Sequence, residues 1–274
     1  MEQKLPVTND FVFTSIFGKK GNEEVLKGLV EAILEIRIES LEIIENTKLE
    51  KKFKEDKLGI LDIKAVLTGG TKVNIEMQMV NKQDIVERTL FYWSKLYIAG
   101  VREGTDYKNL PKTITINILN YNFLPKNEYH LVSHLYYDKK KEIKITDKLE
   151  IHFIDLVKFR KTITRVGDKL TAWLAFIDRS REEMVNVAID NVKAIEQAEK
   201  LLDTLREDKE ALRTYELRQK HLMDSASERN TARAEGEKIG KVKVAKKLLK
   251  QGISIEEVSN IVEIPIEELQ KEIN

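Results

Sequence analysis

The sequence has no cysteine, few prolines and no long hydrophobic run. The absence of cysteine excludes disulfides, thiolate nucleophiles and cysteine-ligated zinc or iron–sulfur sites. The best uncharged stretch, residues 113–125, contains three asparagines and is shorter than the roughly 18 residues that a membrane helix needs. The N-terminus has no apolar run after a basic start, as a secretory signal would. These absences predict a protein of the cytoplasm that does not bind membranes.

Charge of either sign is not in excess. The chain carries 47 Lys and Arg residues against 46 Asp and Glu residues, for a net charge of +1. A protein that binds nucleic acid through its overall charge is usually strongly basic. Any binding to a polyanion such as DNA must therefore depend on a local basic patch.

The hydrophobic pattern changes along the chain and predicts three regions. Spacing typical of helices occurs at residues 22–34 and 84–101, and alternation typical of strands at residues 39–44, 59–67, 72–80, 113–119, 129–136 and 149–155. After Gly167 the strand pattern ends. We predict an α/β domain over residues 1–167, a helical extension or linker over 168–222, and a small helix-turn-helix-like unit over 223–274. A small polar segment, residues 225–240, predicts a flexible joint.

The most informative segment is a predicted hairpin over residues 59–80. Both arms alternate with a period of two, and Gly69-Gly70 between them favours a turn. Opposed residues of an antiparallel pair point to the same side, so both apolar sets share a face only if the numbers of opposed residues add to an even sum. A two-residue Gly69-Gly70 turn would give an odd sum, 139, and would place the two apolar sets on opposite faces. We therefore predict an odd-length loop or a glycine bulge, with a sum of 138 or 140.

Either register places four polar side chains on one face of the hairpin: Asp62, Lys64, Glu76 and Gln78. Two neighbouring carboxylates repel each other unless a proton or cation lies between them, and Mg²⁺ is commonly held by one or two carboxylates plus water. The alternative is the wet face of an ordinary sheet, with Asp62 and Glu76 paired to Lys64 and Lys72. The alternation alone leaves both interpretations open.

Four segments together resemble a known nuclease family. They are Asn9-Asp10-Phe11-Val12-Phe13 with Ile16-Phe17-Gly18, then Leu61-Asp62-Ile63, then Ile75-Glu76-Met77-Gln78, then residues 87–95, Glu-Arg-Thr-Leu-Phe-Tyr-Trp-Ser-Lys. In order and spacing they resemble the recombination-promoting nuclease and transposase branch of the PD-(D/E)XK superfamily. The resemblance implies a restriction-endonuclease-like α/β fold, with an αβββαβ core and a mixed sheet, followed here by an all-α C-terminal region.

The resemblance also implies roles for individual residues. Asp62, Glu76 and the Met77 carbonyl would hold Mg²⁺ or Mn²⁺, and Gln78 stands where the wider superfamily has lysine. Glutamine is neither charged nor basic, so it would orient the attacking water while the metal activates it. Lys64 would supply the missing positive charge. Asp10 would be a third acidic group of the site, or else the N-cap of the first helix.

A second helix is expected to face the substrate. Arg88, Tyr92 and Lys95 follow one another at i, i+4 and i+7, which places them on one face. By the resemblance they contact DNA, whereas the alternative is a surface stripe that frames Trp93 and Phe91 in the core. The predicted apolar stripe of this helix comprises Ile85, Leu90, Trp93, Leu96 and Tyr97. His130 and His134 are four residues apart on a predicted strand, which is too far for an easy shared metal.

The predicted function is a Mg²⁺- or Mn²⁺-dependent DNA endonuclease of the recombination-promoting, transposase-like kind. A rival is a catalytically decayed nuclease fold that acts as a DNA-binding or regulatory protein, which Gln78 leaves open. The C-terminal unit, with a basic face over Lys238–Lys250, would bind DNA or form a homo-oligomer. Met223 could be an internal start that yields a regulatory C-terminal fragment.

Overall fold

The computed structural model describes residues 5–44, 62–137, 139–140 and 142–273, in two compact units, Met1–Tyr215 and Glu216–Asn274. The strands are β1 (Leu41–Ile44), β2 (Asp62–Leu67), β3 (Lys72–Gln78), β4 (Thr113–Leu119), β5 (His130–Ser133) and β6 (Leu149–Asp155). The helices are α1 (Asp10–Phe17), α2 (Glu23–Leu34), α3 (Ile85–Ile98), α4 (Leu156–Thr162), α5 (Lys169–Asp178), α6 (Glu182–Asn191), α7 (Lys193–Glu207), α8 (Lys209–Lys250), α9 (Ile255–Val262) and α10 (Ile266–Ile273). The predicted order of helix, three strands, helix and strand is present as α2, β1 to β3, α3 and β4.

The first unit is built on a six-stranded mixed sheet in the order β1-β2-β3-β4-β6-β5. β1, β2 and β3 are joined antiparallel, whereas β3, β4 and β6 run parallel. Every residue of β4 is buried, as expected for a central parallel strand covered on both faces. The mixed sheet predicted by the resemblance is confirmed.

The predicted register of the β2–β3 hairpin is confirmed. Asp62 lies opposite Glu76 and Ile63 opposite Ile75, so the opposed numbers add to 138. The loop has the three residues Thr68–Gly70, and both glycines have positive φ, near 81° and 82°. Most other residues avoid this left-handed backbone. The first three residues of the predicted strand 59–67, including Leu61, lie outside the described part of the chain.

One face of the sheet is apolar and carries the main core. Helices α1, α2 and α5 contribute Phe17, Leu29, Trp173 and Phe176 to the same buried cluster as Ile63 and the other apolar strand residues. The cluster extends along the chain to Ala211. Helices α5, α6 and α7 of the predicted 168–222 extension, together with the start of α8, therefore form part of the first unit, whose boundary falls between Tyr215 and Glu216.

The opposite face of the sheet carries the polar residues of β2 and β3, and α3 lies beside them. Trp93 Nε1 donates to the Thr113 carbonyl at 2.9 Å, and Thr89 Oγ1 lies 3.1 Å from Asn117 Oδ1, so α3 is fixed over β4. The predicted apolar stripe of this helix is partly wrong, because Leu90 is exposed while Thr89 is buried, and the alternative that placed Phe91 in the core is wrong because Phe91 is exposed. The buried hydroxyl is compatible with the core because Asn117 lies within hydrogen-bonding distance.

The second unit begins at Glu216 and contains the C-terminal helices. Ser254 caps α9 by accepting from Glu257 N at 3.3 Å, and Gly252 ends α8 with φ near 84°. Apolar side chains form a small core of their own, listed here: Val242, Ala245, Val258, Val262, Ile264 and Leu269. The predicted flexible joint at residues 225–240 is wrong, since α8 is continuous there. Alanine, glutamate, arginine and lysine favour helix and outweigh two glycines. None of the described helices combines the length with the apolar composition that a membrane span requires.

A pair of histidines lies at the β5–β6 edge, on the face opposite the polar hairpin residues. His130 Nε2 is 2.9 Å from His152 Nδ1, and His152 Nε2 is 2.8 Å from Glu150 Oε1, so His130 pairs with His152 rather than with His134. Burial, and then the neighbouring His152, lower the pKa of His130 from 6.5 to about 4. The folded state therefore favours the neutral imidazole.

This pKa shift predicts how stability depends on pH. Between pH 6.5 and about 4 the unfolded chain binds the His130 proton and the folded chain does not, so stability falls as the pH falls through this window. The loss at His130 amounts to at most about 3 kcal/mol. We expect urea unfolding of His130→Gln to lose less free energy across this window than the wild type. Equal losses in the two proteins would contradict the assignment.

Candidate active site

Two carboxylates lie directly opposite each other on the polar face of the hairpin. Asp62 and Glu76 are each only 6% exposed. Gln78 O accepts from Asn120 N on the β4 side, and carbonyls alternate between the two edges of a strand, so Glu76 also bonds towards β4. Asp62 and Glu76 therefore form a non-hydrogen-bonded antiparallel pair, the kind in which facing side chains come closest.

The electrostatics of this pair are unfavourable without a cation. Burial raises the pKa of Glu76 above its usual 4.5, and the Asp62 charge raises it further, while Arg88 and hydrogen bonds from Gln78 and Asn74 lower it. The net direction is upward. Buried like charges on directly opposed residues favour either a bound cation or a shared proton.

Polar neighbours hold the two carboxylates in place. Gln78 Nε2 donates to Glu76 Oε2 at 2.6 Å, and Asn74 Nδ2 to Glu76 Oε1 at 3.4 Å. Lys64 Nζ is 3.7 Å from Asp62 Oδ2. Lys72, in contrast, donates to the Leu96 and Ala99 carbonyls near the end of α3. The wet-face alternative pairs the carboxylates with Lys64 and Lys72. In the described contacts Lys64 lies beside Asp62, whereas Lys72 binds the end of α3.

Helix α3 brings some of its predicted residues to the site. An Arg88 guanidinium nitrogen lies 3.9 Å from Glu76 Oε2, and the Arg88 guanidinium carbon is 5.9 Å from the centre of the Tyr92 ring. The pKa of the Tyr92 hydroxyl is raised, chiefly by burial and also by the Glu76 and Asp62 charges. Lys95 has a different position, with Nζ 4.4 Å from the centre of the Phe91 ring.

Asp10 is buried in the first turn of α1, which contacts β2 and β3. It is not the N-cap, because the Asn9 side chain accepts from the backbone N–H groups of Phe11 and Val12. Asp10 Oδ1 accepts from Phe11 N at 2.8 Å. The N-cap alternative for Asp10 is therefore wrong, and its role as a third acidic group stays a prediction.

Two residues that lie at or near the carboxylates have no role predicted from the sequence. Asn74 contacts Glu76. Asn74, Glu76 and Gln78 are alternate residues of β3, and this spacing was the sequence pattern that could have placed Asn74 beside the carboxylates. Tyr121 follows β4, and burial together with nearby charges that include Glu76 raises its pKa to about 12. No sequence motif marks Tyr121, because its position depends on the parallel pairing of β4 with β3.

The donor atoms fit a hard divalent cation such as Mg²⁺. The Met77 carbonyl points to the β2 side, because the next carbonyl along the strand, Gln78 O, accepts from the β4 side. Asn74 Oδ1 is buried and receives no hydrogen bond from any described residue. No group of three or more His, Asp or Glu residues in the described ranges could hold a metal. Two carboxylates are nevertheless enough for Mg²⁺, which keeps several waters.

The chain matches the family model described as "PD-(D/E)XK nuclease family transposase" over residues 7–232. No curated protein and no solved structure matches it. The matched range includes the carboxylate pair, α3 and the helices that follow the sheet, and it stops within α8. The chain therefore belongs to the PD-(D/E)XK nuclease family transposases.

Proposed function

We propose that this chain is a DNA endonuclease that hydrolyses phosphodiester bonds with Mg²⁺ or Mn²⁺. The observation that carries the proposal is the direct opposition of two buried carboxylates, Asp62 and Glu76, on the β2–β3 hairpin of a nuclease-family fold. Such a pair attracts a divalent cation, and the phosphodiester group is an anion that a cation can bind and polarise.

Asp62, Glu76 and the Met77 carbonyl would hold the ion. When bound, it would supply a hydroxide-like water near neutral pH and polarise the phosphoryl oxygen. Gln78 keeps the Glu76 carboxylate in one orientation through its amide N–H, and its amide oxygen is an acceptor that can orient a water. Lys64 places a positive charge beside Asp62, where it can also attract the phosphate.

Arg88 and Tyr92 are proposed contacts for the DNA backbone. Arg88 presents a planar set of donors next to Glu76, and guanidinium groups bind phosphate through paired hydrogen bonds. Lys95 lies further along the helix beside Phe91, so its proposed phosphate contact is displaced from the carboxylates. Asp10 remains a proposed acidic group near the first helix turn.

Nicking of supercoiled plasmid DNA tests this function. The purified full chain is expected to nick the plasmid with Mg²⁺ or Mn²⁺, and not with excess EDTA. Cleavage that continues in EDTA would contradict metal dependence. Binding of DNA with no cleavage in either metal would favour the rival function, a decayed nuclease that binds DNA.

The observation that favours the rival is Gln78, which cannot act as a base or as a charged group. If Gln78 fixes Glu76 and orients a water, Gln78→Ala is expected to lower the cleavage rate by about 10- to 100-fold, the value of a hydrogen bond to a charged group. Gln78→Lys keeps a donor beside Glu76 and is expected to cleave DNA.

The two variants separate the two functions when their cleavage rates are measured beside the wild type. A wild-type chain that is inactive while Gln78→Lys cleaves DNA would identify a decayed nuclease. Wild-type activity that Gln78→Ala leaves unchanged would remove Gln78 from the site.

For the second unit we propose self-association rather than DNA binding. Lys238 is paired with Glu268 and Glu272, and Lys241 with Glu263, so acids of the C-terminal segment neutralise part of the predicted basic face. Glu267 and Glu268 in the first turn of α10 carry negative charge, which repels phosphate. A fragment that starts at Met223 would contain the apolar core of this unit. Sedimentation velocity of the full chain, with immunoblotting for a short C-terminal product, tests both proposals.

A further inference from the structure

A continuous series of side-chain contacts leads from the candidate carboxylates to an exposed aromatic ring. Glu76 is 3.9 Å from Arg88, and Arg88 lies 5.9 Å from the centre of the Tyr92 ring. The centres of the Tyr92 and Phe91 rings are 5.5 Å apart, with the rings nearly perpendicular. Lys95 Nζ lies 4.4 Å from the centre of the Phe91 ring. We call Phe91 and Lys95 the Phe91 platform.

Phe91 is 53% exposed, although it is a large apolar side chain. A single exposed apolar residue needs no explanation. This ring, however, is next to a lysine ammonium and continues directly from the charged residues beside the carboxylates. Lys95 Nζ lies over one face of the ring, so a base would stack on the other face. An exposed aromatic ring with adjacent positive charge is typical of sites where a nucleic-acid base stacks and its phosphate is bound.

We propose that the Phe91 platform binds an unpaired nucleotide next to the phosphodiester that is cleaved. This inference rests on the proposed nuclease function and specifies its substrate as single-stranded or locally unpaired DNA. A base within an intact duplex has both faces stacked and cannot lie on Phe91. Lys64, Arg88 and Lys95 favour a polyanion over an apolar protein partner at this surface.

Fluorescence anisotropy with the full chain tests the inference. The probes are a fluorescein-labelled single-stranded oligonucleotide and the same strand annealed to its complement, with Ca²⁺ in place of Mg²⁺. Phe91→Ala is expected to weaken binding of the single strand by about 5- to 100-fold, the range found for loss of one stacked base. Binding of the duplex should be unchanged, and Phe91→Trp should restore binding of the single strand.

Leu90→Ala is the matched control. Leu90 is the residue before Phe91 in α3 and is 46% exposed, so it is also an exposed apolar side chain. Among the described contacts, the series that starts at Glu76 reaches Phe91 through Arg88 and Tyr92 and does not include Leu90. The Leu90→Ala variant should bind both probes as tightly as the wild type does. Unchanged single-strand binding by Phe91→Ala, or equal weakening for both probes, would overturn the inference. The inference would also be overturned if Phe91→Ala bound DNA as the wild type does but sedimented at a different rate, because Phe91 would then contact another protein chain.

The result can be separated from a failure of the nuclease proposal. A wild-type chain that binds the single strand through Phe91 but cleaves no DNA would contradict the proposed function and leave the Phe91 platform standing. A chain that cleaves plasmid DNA, with single-strand binding that is insensitive to Phe91→Ala, would contradict the Phe91 platform alone.

Discussion

Asp62→Asn is expected to lower Mg²⁺-dependent DNA cleavage by about 10³-fold or more. The change keeps the shape of the side chain and removes one of the two opposed carboxylates that would hold the ion. A metal ion contributes several kcal/mol of stabilisation to a phosphoryl-transfer transition state, which corresponds to this loss of rate. The measurement is the initial rate of plasmid nicking, with circular dichroism to show that the variant is folded.

Glu42→Gln is the matched control for this variant. Glu42 is exposed on β1 and pairs with Val66, so it lies on the same face of the sheet as Asp62. It is separated from Asp62 by four residues along β2, or about 13 Å. Its cleavage rate should equal that of the wild type. Similar rates for Asp62→Asn and Glu42→Gln would show that the opposed carboxylates are not the cleavage site.

Trp173→Ala is expected to destabilise the first unit by about 3–5 kcal/mol, the usual cost of removing a buried large aromatic side chain. Trp173 is 1% exposed and lies edge-on to Phe17, with ring centres 5.6 Å apart, and to Phe176, with ring centres 6.1 Å apart. It therefore joins α5 to α1, the first helix of the nuclease domain. Urea unfolding followed by far-ultraviolet circular dichroism measures the change.

Tyr107→Ala is the control for this stability measurement, because the Tyr107 side chain is 82% exposed. It should change the free energy of unfolding by no more than about 0.5 kcal/mol. For the same reason a chain that ends at residue 167 should not fold, since Phe17 and its neighbours lose their contacts with α5. Cooperative unfolding of that shortened chain would contradict this account of the domain.

The hairpin could be predicted from sequence because its pattern is local. Strand residues alternate with a strict period of two, so the parity of the opposed numbers followed from the apolar faces, and a three-residue loop satisfied it. The grouping of Asp62, Glu76, Lys64 and Gln78 followed in turn. Four residues could thus be placed together without any knowledge of the rest of the fold.

Other features depend on contacts between distant segments and could not be predicted in the same way. Tyr121 lies near Glu76 because β4 pairs with β3 across more than thirty residues of sequence. Helices α6 and α7 have amphipathic patterns that an isolated extension would also show, and only the fold identifies the surface that they cover. Lys72 alternates with the site residues but extends to the end of α3, because free helix carbonyls attract an ammonium group.

The most direct test of the central claim is Mn²⁺ binding to the full chain, followed by electron paramagnetic resonance. The claim is that the opposed Asp62 and Glu76 carboxylates hold one divalent ion. The wild type and Glu42→Gln should each bind one Mn²⁺ at this site, and both Asp62→Asn and Glu76→Gln should lose that ion. Retention of the same bound Mn²⁺ in Asp62→Asn or Glu76→Gln would contradict the claim.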